Sequence, residues 1–336
     1  MYAGAPTTRP LDARLEDVAW VEAVRADSAC LLIDLERNSA AVDAAGNLAW
    51  VSGAQAEAIG DEAVLLGRRS RDAVPSSFLS PRFTQDAQDK HCFGVRTEAA
   101  VATEAIGSVA GFVSLRELVV GCSGVEASMA GQARNLIHWH RSHRFCGACG
   151  GATALGKGGW KRQCGSCGRE HFPRTDPVVI AAVLSRDGQR CLLGKNAAWP
   201  ARRFSCLAGF LDPGETVEEA VRREVREEAG VRVGEHVFYH SSQPWPNGPS
   251  PQLMLGAIAI AETDAICVDP AELEAARWVG MDELRAALAT DSTPPEWLRQ
   301  ADAAAEPSLM LPPPLAIAHR LLTACATLDI EVAPDA

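Results

Sequence analysis

The sequence predicts an α+β protein with three parts: an N-terminal mixed α/β domain, a small cysteine-rich module and a C-terminal α/β domain. The length of 336 residues is one reason, because a single domain usually has roughly 100–200 residues. The second reason is a cluster of four cysteines between residues 146 and 167. The third is that apolar runs of strand length alternate with helical patterns on both sides of this cluster. We expect the parts to span residues 1–142, 143–173 and 174–330.

The composition is that of an ordinary globular protein. Apolar residues make up 47% and charged residues 22% of the chain, which excludes a long disordered or fibrous chain. No apolar run approaches the roughly 20 residues that span a bilayer, and the N-terminus lacks a secretory signal pattern. We therefore expect a cytoplasmic protein with no membrane partner. The net charge of −11 argues against a general nucleic-acid binder, so an anionic substrate would need a local positive field.

The N-terminal part contains a predicted meander of strands followed by a long helix. Three apolar runs of strand length predict strands at residues 30–35, 48–51 and 63–66. Residues 125–144 are predicted to be helical, because Met129, Ala133 and Leu136 recur at helical spacing without an intervening proline. This helix leads directly into the cysteine cluster.

Two Cys-x-x-Cys pairs, Cys146 with Cys149 and Cys164 with Cys167, flank residues 150–163. Each pair places two thiolates on one side of a tight turn, and the four sulfurs together suit a tetrahedral zinc ion. A zinc ion with four sulfur ligands has no open position, so it would stabilise the fold and do no chemistry. An iron–sulfur centre, a redox pair and unliganded cysteines are the alternatives. The other cysteines are scattered singly, and most of them are predicted to be buried.

The C-terminal part has the pattern of a strand pair, a helix and further strands. Strands are predicted at residues 178–184, 191–193, 237–240, 253–261 and 276–279, with an Asp-Gly turn joining the first two. Helices are predicted at residues 216–229 and 315–325. Residues 286–314, rich in Ala, Pro, Ser and Asp, are predicted to form a long loop.

The first of these helices has clear signals at both ends. Thr216 followed by Glu219 is a capping box, and Gly230 suits the C-terminal cap. Its predicted buried stripe consists of Val217, Ala220, Val221 and Val225.

Three carboxylates share one flank of the same helix. Glu224, Glu227 and Glu228 stand at i, i+3 and i+4, where they repel one another unless a cation lies among them. Mg²⁺ or Mn²⁺ fits that demand and would also attract a phosphate. The alternative is a solvated acidic face, which is common on Glu-rich helices. The loop at residues 209–215 favours the metal site, because its glycines and proline let the backbone fold tightly against the helix.

A longer pattern runs through this segment: Gly209, Glu215 and the run Arg-Glu-Val-Arg-Glu-Glu-Ala-Gly-Val at residues 223–231. It resembles the complete signature of the Nudix hydrolases, which fold as an α/β/α sandwich and hydrolyse nucleoside diphosphates linked to another moiety. The resemblance implies that Glu224 and Glu228 are metal ligands and that Glu227 is a ligand or a proton acceptor. It also implies that Arg223 orients these carboxylates and that Glu215 pairs with Arg223.

Further motifs extend over residues 135–322: the cysteine ribbon, Phe172-Pro-Arg-Thr-Asp-Pro177, Leu207-Ala-Gly-Phe210, Ser242-Gln-Pro-Trp-Pro246 and Leu311-Pro-Pro-Pro314. Together they resemble the zinc-ribbon NADH pyrophosphatases, also known as NAD-cap decapping enzymes. This resemblance implies that the Ala208 carbonyl and Glu272 join the helix glutamates as ligands of Mg²⁺ or Mn²⁺. It implies substrate contacts at Phe172, Phe210, Gln243, Pro244, Trp245, Pro246, Ser250 and Ala318.

These features predict a metal-dependent hydrolase that splits the pyrophosphate bond of NAD(H) into AMP and nicotinamide mononucleotide, with NAD-capped RNA as a further candidate substrate. The first alternative is a Nudix hydrolase for another nucleoside diphosphate derivative, such as ADP-ribose or diadenosine polyphosphate. The second is a non-catalytic nucleotide or RNA sensor. The resemblance also implies a homodimer.

The segment after Trp245 departs from that branch. Relatives continue with Phe-Pro, whereas this chain has Asn247-Gly248, a turn signal, in a longer run. Since this segment contacts the dinucleotide in relatives, the departure leaves the preference among NADH, NAD, ADP-ribose and NAD-capped RNA open. Phe172 replaces a tyrosine, which keeps a stacking face but loses a hydroxyl.

Overall fold

The computed structural model describes residues 7–8, 13–60, 62–69, 90–122, 124–246, 248, 250–290 and 309–327. The chain forms two compact units, and unit 1 comprises Met1–Thr175 with Pro244–Pro251. Unit 2 comprises Asp176–Gln243 with Gln252–Ala336. The N-terminal domain and the cysteine module thus fall into one unit, and the three domain boundaries expected from the sequence stay predictions. Within the described residues, no helix is both long and apolar enough to cross a bilayer.

A mixed seven-stranded sheet forms the centre of unit 1. Its strands are β1 (Thr7–Thr8), β2 (Ala29–Asp34), β3 (Ser39–Val42), β4 (Trp50–Ser52), β5 (Ala63–Arg69), β6 (His91–Arg96) and β7 (Gly111–Ser114). They follow the order β1-β5-β6-β2-β3-β7, and β4 pairs with β2. The β2–β6 pair is parallel and the other pairs are antiparallel. The three predicted strands are confirmed as β2, β4 and β5, whereas β1, β3, β6 and β7 were not predicted. In β6 the buried centre shows no alternation of polar and apolar residues.

The described residues of the N-terminal part of unit 1 also form five α-helices. They are α1 (Val18–Ala26), α2 (Gly53–Glu57), α3 (Ala99–Ala105), α4 (Leu115–Gly121) and α5 (Gly124–Ser142). The predicted long helix is confirmed as α5, and the four shorter helices were not predicted. The packed residues between α5 and the sheet include Met129, Ala133, Leu136 and Ile137 from the helix and Leu31, Ile33, Val64 and Leu66 from the strands.

The cysteine module is a three-stranded ribbon in the same unit. Its strands are β8 (Thr153–Gly156), β9 (Lys161–Cys164) and β10 (Glu170–His171), in the order β10-β9-β8. The Trp160 indole N–H donates to the Leu65 carbonyl at 2.7 Å, and His140 Nε2 lies 2.8 Å from the Gly159 carbonyl. These bonds join the ribbon to β5 and α5, which explains why both parts share one unit.

Unit 2 is built on a six-stranded sheet. Its strands are β11 (Asp176–Leu184), β12 (Arg190–Lys195), β13 (Leu207–Phe210), β14 (Val233–Trp245), β15 (Gln252–Ala261) and β16 (Ala275–Gly280). The order is β14-β15-β11-β12-β16, with β13 also paired to β11. The central β11–β15 pair is parallel, and β13 runs antiparallel to β11. All five strands predicted in this part are confirmed, with shifted ends.

Among the residues of unit 2 that the structure describes, three α-helices cover the two faces of this sheet: α6 (Val217–Ala229), α7 (Met281–Thr290) and α8 (Ile317–Thr327). Successive β11 side chains point to opposite faces, so Val179, Ala181 and Val183 pack with Ala220, Val221 and Val225 of α6. Ile180, Ala182 and Leu184 pack with Leu284 of α7 and Leu321 and Leu322 of α8. Unit 2 is therefore an α/β/α sandwich, as predicted.

The predicted loop at residues 286–314 was wrong for residues 286–290, which belong to α7. These residues are mostly Ala and Leu, both strong helix formers, and Leu284 of the preceding turn is buried in the core. Residues 291–308 lie outside the described residues. The last helix is confirmed as α8, beginning at Ile317.

Candidate functional site

The acidic helix α6 has the end structure that its sequence predicts. The Thr216 side chain accepts from the Glu219 backbone N–H at 3.2 Å, and the Glu219 carboxylate accepts from the Thr216 N–H at 2.8 Å. Gly230 caps the C-terminus with a φ of 70°, a conformation that glycine adopts without strain. The capping box and the glycine cap are confirmed, and they fix where the helix that carries the acidic flank begins and ends.

Arg223 binds the carboxylates around it through both sides of its guanidinium. Its Nε and Nη2 donate to the two Glu215 oxygens at 2.6 and 2.8 Å. Its Nη1 donates to Glu224 at 2.9 Å and to Glu227 at 3.0 Å. The Arg223 guanidinium lowers the pKa of Glu215 to about 2, so Glu215 stays charged at neutral pH. This fork holds the loop in front of α6 to the acidic flank of the helix.

Glu228 lies at the buried end of that flank. The residue is 8% exposed, and its Oε2 atom is buried without a hydrogen-bond partner. Burial, reinforced by the charges of Glu224 and Glu272, raises the pKa of Glu228 to about 8. Burial also raises the pKa of Glu224. A buried carboxylate oxygen without a partner is costly, and a divalent cation would satisfy it.

Strand β13 runs next to these two glutamates. Ala208 pairs with Ile180 of β11, and its nearby backbone N–H opposes the rise in the Glu228 pKa. Gly209 lies against Glu224 so closely that a β-carbon would overlap the carboxylate. The sequence motif contained this glycine, but the contact that requires it emerges only from the packing of β13 on α6.

Glu272 is exposed, and it lies near enough to Glu224 and Glu228 for its charge to raise both their pKa values. The carboxylates of Glu224, Glu228 and Glu272 do not, however, all lie within 4.8 Å of one another. Among the described residues, the four ribbon cysteines are the one group of three or more potential metal ligands whose donor atoms lie within 4.8 Å of one another. The glutamates nevertheless suit a divalent cation, because the Glu228 Oε2 atom has no hydrogen-bond partner and carboxylate oxygens are the hard ligands that such cations prefer.

The ribbon cysteines converge in space as their spacing predicts. Cys146 Sγ lies 3.8 Å from Cys167 Sγ, and Cys149 Sγ lies 3.5 Å from Cys164 Sγ. Backbone N–H groups of Cys167 and Ser166 lower the pKa of Cys164 to about 6, which favours the thiolate that a metal needs. His143 is not part of the cluster, because its Nδ1 lies 2.9 Å from Ser142 Oγ and 3.1 Å from the Trp139 carbonyl.

The scattered cysteines are mostly buried, as expected. Those that are buried are Cys30, Cys92, Cys191, Cys206 and Cys325. Cys122 is half-buried and Cys267 is exposed.

Gln243 and Ala318, for which the family resemblance implies substrate contacts, make contacts with other residues of unit 2. The Gln243 amide donates to the Leu315 carbonyl and accepts from the Ile317 N–H, both at 2.8 Å, so it stabilises the start of α8. Ala318 lies on the buried face of α8. Phe210 differs from both, because its ring is 50% exposed while its carbonyl accepts from Arg223 at 2.8 Å.

The remaining implied contacts lie in unit 1. Pro244 and Pro246 line a cavity of about 270 Å³ whose other walls include Gln132, Trp139 and Trp160. Trp245 and Ser250 are half-buried, and the Phe172 ring is 55% exposed. Asn247, the first residue of the predicted turn, lies outside the described residues.

Comparisons with known proteins agree with this architecture. Residues 174–301 match the NUDIX domain family, and residues 141–172 match the NADH pyrophosphatase zinc ribbon domain. Nudix hydrolase 19, chloroplastic, of Arabidopsis thaliana is 42% identical over 260 residues, which cover 72% of this chain and 56% of that protein. The NAD-capped RNA hydrolase NUDT12 of Homo sapiens is 42% identical over 205 residues, covering 59% of this chain and 41% of that protein. The NAD-capped RNA hydrolase NudC of Mycobacterium bovis is 38% identical over 219 residues, covering 65% of this chain and 66% of that protein.

The sandwich, the capped acidic helix and these matches define a member of the Nudix hydrolase family. Within that family, the chain matches the zinc ribbon domain of the NADH pyrophosphatases, and the four cysteines of that ribbon form a cluster that could hold a metal ion. The resemblance drawn from the sequence is thereby confirmed for the family and for the ribbon. The chain spans about half the length of the Arabidopsis and human relatives.

Proposed function

We propose that this protein hydrolyses the pyrophosphate bond of NAD(H), producing AMP and nicotinamide mononucleotide, and that it also acts on NAD-capped RNA. The observation that carries the proposal is the buried, unpartnered Glu228 oxygen beside Glu224 and Glu272. The names of the human and mycobacterial relatives, both NAD-capped RNA hydrolases, support the choice of substrate.

The acidic site would bind Mg²⁺ or Mn²⁺ through Glu224, Glu228, Glu272 and the Ala208 carbonyl. When bound, such ions neutralise phosphoryl charge and lower the pKa of a coordinated water. Arg223 holds Glu224 and Glu227 in place, which leaves Glu227 as a further ligand or as the acceptor of a proton from the attacking water. The net charge of −11 repels an anionic substrate, and a bound metal ion would offset this repulsion locally.

Exposed rings and the implied contact segment would hold the dinucleotide. Phe210 and Phe172 are each about half exposed, and their rings would stack on the ligand. Trp245 and Ser250, together with Pro244 and Pro246, would contact the remaining groups. Gln243 and Ala318 would act mainly through the backbone around them, because the Gln243 amide is already bonded and Ala318 is buried.

Three further assignments belong to this proposal. Zinc in the ribbon would be structural, because the four thiolates fill a tetrahedral site. Homodimer formation is proposed from the resemblance, and light scattering at several protein concentrations tests it. The cytoplasmic location expected from the sequence stays a prediction.

Incubation of the protein with NADH and Mg²⁺ or Mn²⁺ tests the activity. We expect release of AMP, and we expect Glu228→Gln to lower the rate by orders of magnitude because it removes a ligand charge. Glu218→Gln is the matched control, since Glu218 is exposed on the same helix outside the acidic site. Full activity of Glu228→Gln would exclude the proposed metal site.

A substrate panel tests the specificity. Rates on NADH, NAD, ADP-ribose and NAD-capped RNA should be highest for an NAD-containing substrate. ADP-ribose exceeding NADH by a wide margin would favour the alternative hydrolase and would implicate the Asn247-Gly248 departure. Tight nucleotide binding without turnover under any divalent metal would favour a sensor.

A further inference from the structure

A short segment, residues 267–274, carries Glu272 and is tied to the C-terminal end of α6. The Cys267 N–H donates to the Ala229 carbonyl at 2.8 Å. The Asp269 N–H donates to the Glu228 carbonyl at 3.1 Å. Asp269 is therefore bonded directly to the residue whose carboxylate forms the buried end of the acidic site.

Asp269 also closes the turn that leads to Glu272. Its Oδ1 accepts from the Ala271 N–H at 2.9 Å. Its carbonyl accepts from the Glu272 N–H at 3.1 Å and from the Leu273 N–H at 3.0 Å. Leu273 is buried against the α6 side of the sheet, so Glu272 stands between a closed turn and an anchored side chain.

The far end of the segment is anchored on β12. The Glu274 N–H donates to the Lys195 carbonyl at 2.8 Å, and the Glu274 carboxylate pairs with the buried Lys195 ammonium. With both ends fixed, the backbone on either side of Glu272 has little freedom, and the geometry of the turn decides where the carboxylate lies.

We propose that Asp269 is a positioning residue that sets Glu272 relative to Glu228 and thereby sets the affinity of the acidic site for a divalent cation. The inference rests on the proposed function, because it takes Glu272 and Glu228 as ligands of the same metal site. One residue performs both tasks: its backbone N–H bonds to Glu228, and its side chain closes the turn before Glu272. Residues that support ligands in this way fix ligand orientation without touching the metal.

The test compares Asp269→Ala with Asp269→Asn in the full chain with the ribbon zinc retained. Titration with Mn²⁺, followed by the electron paramagnetic resonance signal of the free ion, gives the dissociation constant without catalysis. Asp269→Ala loses the acceptor for the Ala271 N–H and should bind Mn²⁺ about tenfold more weakly. Asp269→Asn keeps an oxygen acceptor and should stay near the wild type. The Mn²⁺ concentration for half-maximal hydrolysis should follow the same order, while the KM for NADH at saturating Mn²⁺ changes little.

Two reference variants separate the possible results. Asp187→Ala removes the same kind of bond, to the Gln189 N–H at 3.0 Å, in the β11–β12 turn and should leave Mn²⁺ affinity unchanged. Glu272→Gln should weaken Mn²⁺ binding at least as much as Asp269→Ala.

If Glu272→Gln weakens Mn²⁺ binding but Asp269→Ala does not, the positioning role of Asp269 is overturned and the metal site stands. Equal losses in Asp269→Ala and Asp269→Asn would also overturn it, because charge rather than turn closure would then matter. Unchanged affinity in Glu272→Gln would remove the proposed ligand set and the inference together.

Discussion

The absence of a side chain at Gly209 makes room for the Glu224 carboxylate. A β-carbon at Gly209 would overlap that carboxyl group, although the glycine backbone itself adopts no left-handed conformation. The glycine therefore leaves room for the present position of the Glu224 carboxylate, and it is not needed for a turn. This contact fixes one side of the position of Glu224, and Arg223 fixes the other.

Gly209→Ala should displace Glu224 while leaving the sheet intact. A shift of about 1 Å in a catalytic group can cost about a hundredfold in rate, and we expect a loss of that order in AMP release from NADH. Gly280→Ala is the control, because a β-carbon at Gly280 meets no atom within 4 Å. Equal activity of the two variants would show that the Glu224 position does not matter for hydrolysis.

Arg223→Lys should be far from conservative. Lysine keeps the charge but cannot bond Glu215, Glu224 and Glu227 from one planar group. We expect a loss of about 10–100-fold in kcat, the range typical for residues that orient metal ligands. The far-ultraviolet circular dichroism spectrum should stay unchanged. A wild-type kcat in Arg223→Lys would contradict the orienting role.

Glu228→Gln should stabilise the metal-free protein at alkaline pH. The folded-state pKa of about 8 exceeds the ordinary value of 4.5, so the folded chain holds this proton more tightly than the unfolded chain. The stability that comes from the neutral carboxyl is present below pH 4.5 and is lost as the pH rises through about 8. Glutamine cannot ionise, so near pH 9 the variant should have a larger free energy of unfolding than the wild type, by a few kcal/mol at most. Urea unfolding measures this difference, which should disappear near pH 4.

Added Mn²⁺ should reverse that order. Wild-type protein should gain stability with Mn²⁺ and Glu228→Gln should gain much less, because ligand binding to the folded state alone stabilises it. Binding should also release a proton from Glu228 below about pH 8, so Mn²⁺ affinity should fall as the pH is lowered. Calorimetric titration in buffers of different ionisation enthalpy measures this release, and an absent release would contradict a protonated Glu228.

Cys164→Ser should remove the ribbon metal and weaken unit 1. Loss of one thiolate opens the tetrahedral site, and the binding free energy of structural zinc is part of the folding free energy. The loss should reach α5 and β5, which bond to the ribbon through Gly159 and Trp160. Zinc content and the urea midpoint measure the effect, with Cys267→Ser as the control because Cys267 is exposed outside the ribbon. Unchanged zinc content would contradict the four-cysteine site.

His140 should make the protein sensitive to mild acid. Burial lowers its pKa to about 4, and the neutral ring is held by the Gly159 carbonyl and by Arg162 Nη1 at 3.1 Å. Because the folded-state pKa lies below the ordinary value of 6.5, stability is full above pH 6.5 and falls as the pH drops toward 4. The contribution is of the order of 3 kcal/mol. The difference in unfolding free energy between wild type and His140→Gln, measured from pH 7 to pH 4, should shrink over this window, and a constant difference would contradict the shift.

The sequence by itself determined the family, the ribbon and the acidic helix. Each of these depends on residues that are close along the chain: cysteine pairs in tight turns, a capping box at Thr216, and carboxylates three and four residues apart. Local spacing of this kind fixes geometry before any long-range contact forms. The loop predicted at residues 286–290 was wrong, because these residues have high helix propensity and continue a helix whose Leu284 is buried in the core.

Only the tertiary structure decided which residues support those groups. The overlap that requires Gly209, the bond from Asp269 to Glu228 and the internal bonds of Gln243 all join positions that are distant in sequence. A hydrogen bond or a close approach between such positions leaves no periodic trace in the sequence, because it depends on how sheet and helix pack. For the same reason the high pKa of Glu228 could not be predicted, since it arises mainly from burial and only then from neighbouring charges.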